Sequence, residues 1–321
     1  MTDDSAESSA AIGKRDRKTM GVLEMETSLR IRPRFRAALV VSFAALGLVM
    51  ACGPASAAKV DTSGMSFSPT PLVGKVIWND LITDNLDAAR EFYGALFGWT
   101  FERSSGKGGR YVLARSGKVY VAGIVEVHTD HERAAKTSRW LPYVSVADVD
   151  GSLAKASAAG ARIAVAAQNV NFGRVAAIID PEGAVIGLAR STIGDPDDAT
   201  TAPGLGRVVW TELLAGDPGA AARFYGDVVG YEANTITRRG GQYTLLAHDG
   251  RNRSGLLKNP TDAAPIWLTY FGVDDPVAAE GRVRALGGAI VVRASQRLRE
   301  GTMAVVTDPT GALLVLQKVA Q

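Results

Sequence analysis

The chain repeats itself at the length of a whole domain. The stretch VIWNDLITDNLDAAREFYGALFGW, from Val76, reappears as VVWTELLAGDPGAAARFYGDVVGY from Val208. Trp78 and Trp210 are 132 residues apart, as are Phe92 and Phe224, Gly98 and Gly230, Tyr111 and Tyr243, and Gly123 and Gly255. The offset then slips to 127 for Trp140 and Trp267, and to 128 for Asp180 and Asp308. Solenoid units run about 20 to 50 residues, so this period is that of two tandem domains with small indels in their loops. Boundaries follow: a leader over 1–57, a linker over 58–73, domain 1 over 74–193, an acidic linker over 194–204 and domain 2 over 205–319.

Within each copy the hydrophobic pattern gives two modules. KVIWNDLIT alternates around Trp78, Asp80 and Ile82 and reads as a strand. Asp84 and Asn85 offer a helix N-cap, LDAAREFYGALF places Ala89, Phe92, Tyr93, Leu96 and Phe97 at helical spacing, and Gly98 closes the helix. Three short strands follow. A second strand, helix and three strands run from Trp140 to Ser191, with DPEG as a tight turn. The body is therefore four βαβββ modules, α+β in class. Phe92, Tyr93, Phe224 and Tyr225 are expected in the helix-to-sheet core. SSGKGGR, Ser104 to Arg110, joins two strands without a following helix, so it is a hairpin and not a phosphate cradle.

The leader is of another kind. RIRPRFR is followed by the 15 uncharged residues Ala37 to Ala51, too short for the roughly 20 that span a bilayer but suited to an export signal. LVMAC ends at Cys52, the one cysteine of the chain. It resembles a bacterial lipobox, which makes Cys52 the expected lipidation site and the cell envelope the expected location. Cleavage after Ala57, giving a periplasmic or secreted soluble protein, is the alternative, and Met25 is a plausible initiator. Of 36 basic and 33 acidic residues, 8 and 6 lie in the leader through Ala51. That leaves 28 and 27 in the remainder, a balance that gives no sign of a nucleic-acid surface.

Two βαβββ modules per domain, the strand–acid–helix opening with FYGxxxG, and the DPxG turn before the last strand resemble the vicinal oxygen chelate superfamily, which includes glyoxalase I, bleomycin-resistance proteins and extradiol dioxygenases. The resemblance covers nearly all of 75–193 and 205–319. It implies that each pair of modules forms an open half-barrel, and that metal-dependent members hold a divalent ion there with His from first strands and Glu from last strands. Matched onto this chain, the leading-strand positions are Trp78, Trp210, Leu141 and Leu268, and the late-strand positions are Gly187 and Val315. None has a side chain that ligates a metal. His128 and His131 lie between modules, His248 reads as a surface turn residue, and Glu126 falls near a late-strand position opposite Lys258 in the other copy. No cofactor is expected, and a divalent metal is disfavoured.

Asp80 and Glu212 follow Trp78 and Trp210 by two residues and share their strand faces. Tyr143 and Tyr270 fall at the matching places of the second modules, whose strands start at Trp140 and Trp267. Two readings stay open. The aromatics plug the half-barrel and their hydroxyls satisfy the carboxylate, or they wall a pocket for a flat or cationic small molecule. General-base catalysis by Asp80 or Glu212 is a third. The expected role is small-molecule binding in the manner of bleomycin-resistance proteins. The alternatives are a glyoxalase-like lyase, or other enzyme of the superfamily, with a displaced site, and a structural or partner-binding envelope protein. The two domains are expected to pack as a fused pseudo-dimer.

Overall fold

Helix α1 (Leu86–Phe97) starts where Asn85 accepts a 3.0 Å hydrogen bond from the Ala88 amide, and stops at Gly98, whose φ of 71° few side chains tolerate. Its counterpart α3 (Pro218–Val229) is capped by Asp217, opens on a proline and stops at Gly230, φ 93°. Asp148 and Asp275 cap α2 (Val149–Ala158) and α4 (Pro276–Ala285) in the same way. These four caps divide a computed structural model that describes residues 62, 64–103, 111–127, 138–198, 204–238 and 241–319. The leader with Cys52, the glycine-rich hairpin and both His128 and His131 lie outside the described residues.

A short strand β1 (Phe67–Ser68) pairs with β10 (Asp195–Pro196), so the two linker regions meet. Domain 1 contains β2 (Val76–Thr83), β3 (Thr100–Arg103), β4 (Tyr111–Ser116), β5 (Val119–Glu126), β6 (Arg139–Ser145), β7 (Arg162–Val170), β8 (Gly173–Ile179) and β9 (Val185–Ser191). They form one sheet in the order β3-β4-β5-β2-β6-β9-β8-β7. Domain 2 contains β11 (Val208–Ala215), β12 (Glu232–Arg238), β13 (Gly241–His248), β14 (Arg251–Lys258), β15 (Ile266–Val273), β16 (Ala289–Val292), β17 (Met303–Thr307) and β18 (Leu313–Lys318). Its order, β12-β13-β14-β11-β15-β18-β17-β16, is the same topology. In each sheet the first strands of the two modules, β2 with β6 and β11 with β15, pair antiparallel at the centre. Each domain is thus two βαβββ modules joined into one half-barrel sheet.

One face of each sheet meets the other domain. The helix side of module 1 shares a core with module 4, and that of module 2 with module 3. Tyr93 and Tyr225, expected between helix and sheet, reach across this boundary. Tyr93 donates to Asp308 at 3.1 Å, and Tyr225 donates to Asp180 at 2.9 Å. Each tyrosine oxygen accepts from an indole, Trp140 at 3.1 Å and Trp267 at 3.0 Å. Trp99 donates to the Gly206 carbonyl at 2.7 Å, and Tyr231 to that of Gly74 at 2.6 Å. Every one of these contacts occurs twice, related by the sequence repeat.

Trp140 and Trp267 therefore do not line a half-barrel, which corrects their grouping with the pocket residues. They are an odd number of positions from Tyr143 and Tyr270, so on a strand of period two they point to the opposite face. There they stack edge-on against Tyr93 and Tyr225, with ring centroids 5.4 and 5.2 Å apart.

Candidate functional site

The other face of each sheet is the concave one. In β2 a register shift lies between Val76 and Trp78, and in β11 an equivalent shift lies between Val208 and Trp210. Such bulges re-aim a side chain, here the indole at the mouth of each half-barrel. Trp78 pairs across strands with Tyr143 and Asp80 with Leu141; Trp210 pairs with Tyr270 and Glu212 with Leu268. The structure thus brings indole, carboxylate and phenol together in each domain.

In domain 1, Asp80 is 2% exposed. Its Oδ1 accepts from Trp78 Nε1 at 2.8 Å and from the Tyr111 hydroxyl at 3.0 Å, and Tyr143 also donates to the carboxyl. All three donors are neutral. Burial pushes the carboxyl up to about 6 despite these bonds. Phe172, from the two-residue turn between β7 and β8, packs on Trp78 with centroids 6.4 Å apart. Asp80 is closed over.

This has a consequence for stability. The unfolded chain returns Asp80 to its ordinary value of 3.8. At lower pH the carboxyl is protonated in both states and the site contributes fully; as pH rises through about 6 the folded state must hold a buried charge and that contribution is lost. Asp80→Asn should therefore gain about 3 kcal/mol on wild type between about pH 3.5 and about pH 7. Paired urea titrations read this difference, and parallel pH curves for the two proteins would refute it.

Domain 2 is built differently around the same frame. Glu212 is 1% exposed. Oε1 accepts from Tyr243 at 2.6 Å and from Arg299 Nη2 at 2.6 Å, while Oε2 accepts from Tyr270. Trp210 Nε1 donates to the Tyr243 oxygen at 3.1 Å. Burial works against the charge of Arg299, but the Glu212 carboxylate outweighs it and holds the guanidinium above its ordinary range. Arg299 lies on the connection 293–302 between β16 and β17, where domain 1 has only the turn at Phe172. Residues Arg299 and Glu300 take φ of 45° and 58°, a left-handed conformation uncommon for non-glycine residues. In place of an aromatic plug, domain 2 has an open cavity of about 340 Å³ walled by Trp210, Tyr243, Tyr270, Arg238 and Arg299.

Tyr111, Tyr243 and Arg299 were not among the expected site residues. The first two could have been found, because both keep the 132-residue offset, as do Gly123 and Gly255. Those glycines explain the offset physically. A Cβ at Gly123 would stand 2.0 Å from the Tyr111 hydroxyl, and one at Gly255 would stand 2.2 Å from that of Tyr243. Arg299 has no counterpart in domain 1 and gives no such signal. Glu126 takes no part: its Oε1 accepts from the Leu86 amide at 3.0 Å, at the start of α1. His248, read as a surface residue, uses Nδ1 at 2.7 Å on the carbonyl of Gly230, the residue that ends α3.

The six positions where the resemblance places metal ligands do not fit a divalent ion. Trp78, Trp210, Leu141, Leu268 and Val315 offer no donor for one. Gly187 cannot simply become glutamate, because a Cβ there would lie 2.2 Å from the Tyr143 ring. Among the described residues no three His, Cys, Asp or Glu side chains gather as a metal site.

A model of the Glyoxalase/Bleomycin resistance protein/Dioxygenase superfamily matches residues 75–188 and 207–316. The chain is 32% identical over 250 residues to the protein named "Putative glyoxylase CFP32" of Mycobacterium tuberculosis (strain CDC 1551 / Oshkosh), across 76% of this chain and 94% of that one. It is 28% identical over 254 residues to "Anthracycline biosynthesis protein DauV" of Streptomyces sp. (strain C5), across 74% and 91%. Two solved structures share the fold. The 2,3-dioxygenase LapB from Pseudomonas sp. KL28 superposes with a TM-score of 0.52 at 13% identity, covering 80% of this chain and 94% of that one. The Mn(II)-bound glyoxalase from Novosphingobium aromaticivorans gives 0.50 at 14%, covering 78% and 83%. With both of its repeats matched by the family model, the chain belongs to the glyoxalase/bleomycin resistance protein/dioxygenase superfamily.

Proposed function

We propose that this protein binds a flat, ring-bearing small molecule in the half-barrel of domain 2 without a metal, and that Cys52 holds it by a lipid at the cell envelope. The observation that carries the binding reading is the domain 2 cavity, whose wall is an indole and two phenols rather than metal ligands. Its volume of about 340 Å³ lies within the range of small-molecule sites, about 300 to 1,000 Å³. The fixed rings offer a stacking surface at little conformational cost. Relatives named for anthracycline biosynthesis lend this class some weight, since anthracyclines are flat polycyclic compounds. Export and lipidation are supported by the basic run, the uncharged segment and the lone Cys52 that follows it. Among the described residues no helix is long and apolar enough to cross a membrane.

A glyoxalase-like lyase is the second reading, favoured by the name of the mycobacterial relative. It asks for a free acid or base, and both carboxylates at the site are already engaged: Asp80 by three neutral donors, Glu212 by two phenols and Arg299. The test is calorimetric titration of chelator-stripped protein with a neutral ring compound, 2-naphthamide, in wild type and Trp210→Ala. Loss of the indole should weaken binding by about tenfold or more, the order expected for a truncated aromatic anchor. Equal affinity in the two proteins would remove Trp210 from the site.

A further inference from the structure

We infer that the domain 2 half-barrel selects aromatic molecules that carry an anionic group, a carboxylate being the simplest, and that Arg238 and Arg299 receive it. This rests on the reading of that half-barrel as a ring-binding site. The carboxylate of Glu212 is not available to a cationic ligand. It lies beneath the phenols, and its two oxygens are occupied by Tyr243, Tyr270 and Arg299. What faces the cavity is positive. The Arg299 guanidinium stands 5.7 Å from the Tyr270 ring centroid and 5.8 Å from that of Tyr243. The Arg238 guanidinium stands 4.4 Å from the Tyr243 centroid. Among the described residues no acidic side chain lines the cavity.

Both arginines have donors left over. Of the five N–H groups on a guanidinium, Arg299 commits Nη2 to Glu212, and about a third of its side chain, 32%, stays exposed. Arg238 has no carboxylate partner among the described residues and is held by its ring contact alone. Two planar forks beside an aromatic wall are the arrangement that takes a carboxylate by paired, charge-assisted hydrogen bonds.

A second observation points the same way. The connection that delivers Arg299 is longer than its domain 1 equivalent and passes through left-handed φ at two non-glycine residues. Backbone held in that region persists where surrounding contacts enforce it, and it clusters at ligand-binding sites. Here the Thr302 hydroxyl donates to the Arg299 carbonyl at 2.6 Å, and the Arg299–Glu212 ion pair at 2.6 Å fixes the guanidinium at the cavity wall. Glu212 orients Arg299; it does not compete with an entering anion for the remaining donors. In domain 1 Phe172 packs on Trp78 instead.

The test titrates purified protein with three probes of one ring size: 2-naphthoate, 2-naphthamide and 2-naphthylmethylammonium. The naphthoate should bind about tenfold tighter than the amide, the scale of one charge-assisted pair, and the ammonium should bind weakest. In Arg238→Gln, at an exposed position, the gap between naphthoate and amide should shrink severalfold, whatever change the two probes share. If the amide binds as tightly as the naphthoate, or the ammonium binds best, the anion inference is overturned and the ring site stands. If none of the three binds, the ring site itself falls, and this inference with it.

Discussion

Asp308→Ala should lower the stability of the protein by about 3 kcal/mol, and Asp180→Ala should do the same by the internal symmetry. Asp308 is almost fully buried. Its Oδ1 accepts from the Thr310 amide at 2.9 Å, the Thr310 hydroxyl at 2.8 Å and the Ala312 amide at 2.9 Å, which shapes the DPTG turn. Its Oδ2 accepts from Tyr93 of the other domain. Deleting the carboxyl leaves these donors without an acceptor in a dry interior, at about 1 to 3 kcal/mol for each that finds no water. Tyr93→Phe removes only the hydroxyl, which also leaves the Trp140 indole N–H unpaired, so its cost should be smaller, about 1 to 2 kcal/mol. A double-mutant cycle between Asp308→Ala and Tyr93→Phe separates the turn from the bridge. A coupling energy indistinguishable from zero would mean that the tyrosine contact contributes nothing across the domain boundary.

Glu212→Ala is the second large effect, again about 3 kcal/mol. The residue is buried beneath Tyr243 and Tyr270, and its removal orphans two phenol donors together with a half-buried guanidinium. Arg299 keeps part of its side chain in solvent, so the loss should stay below that of a fully buried pair. The local effect is more specific. Without Glu212 the 293–302 connection, with Arg299 and Glu300 at positive φ, keeps the Thr302 bond to the Arg299 carbonyl but loses the ion pair. Hydrogen exchange there should accelerate more than in β2 and β6, which lie in the other domain and share only the global loss. Chemical denaturation reads the global loss, and a cost under about 1 kcal/mol would show that solvent replaces the carboxylate without difficulty.

The sequence made the fold legible because the fold is written twice. The paired positions Trp78 and Trp210, Gly98 and Gly230, and Asp180 and Asp308 mark strand, helix end and turn in each copy, and the structure uses each pair alike. The carboxylates Asp80 and Glu212 could be placed on the concave face by counting two residues from a tryptophan. Trp140 and Trp267 start the same strands as the tyrosines, but their odd spacing from Tyr143 and Tyr270 puts them in the interdomain core. Asp180 and Asp308 show a second limit. A DPxG turn announces its own geometry, but nothing local says that its carboxylate also receives a tyrosine from the other domain. Arg299 was the least legible residue. It lies in an unrepeated loop, and its carboxylate partner is 87 positions away in the chain.

The two half-barrels have diverged in one physical respect. Domain 1 closes over its carboxylate with neutral donors and Phe172, and domain 2 opens over its own and adds charge. The repeat therefore gives two equivalent frames for an interface, and in domain 2 the frame carries a cavity ringed by both aromatic and cationic groups.

Ring binding in the domain 2 half-barrel should need no metal. It is tested most directly by calorimetric titration of 2-naphthamide into protein whose divalent metal content has been stripped and then measured by elemental analysis. One site per chain is expected, with the same affinity before and after stripping and no recovery or gain on adding back zinc, nickel, manganese or iron. Binding that disappears with the metal and returns with it would rule out metal-free binding and restore a metal centre to the concave face.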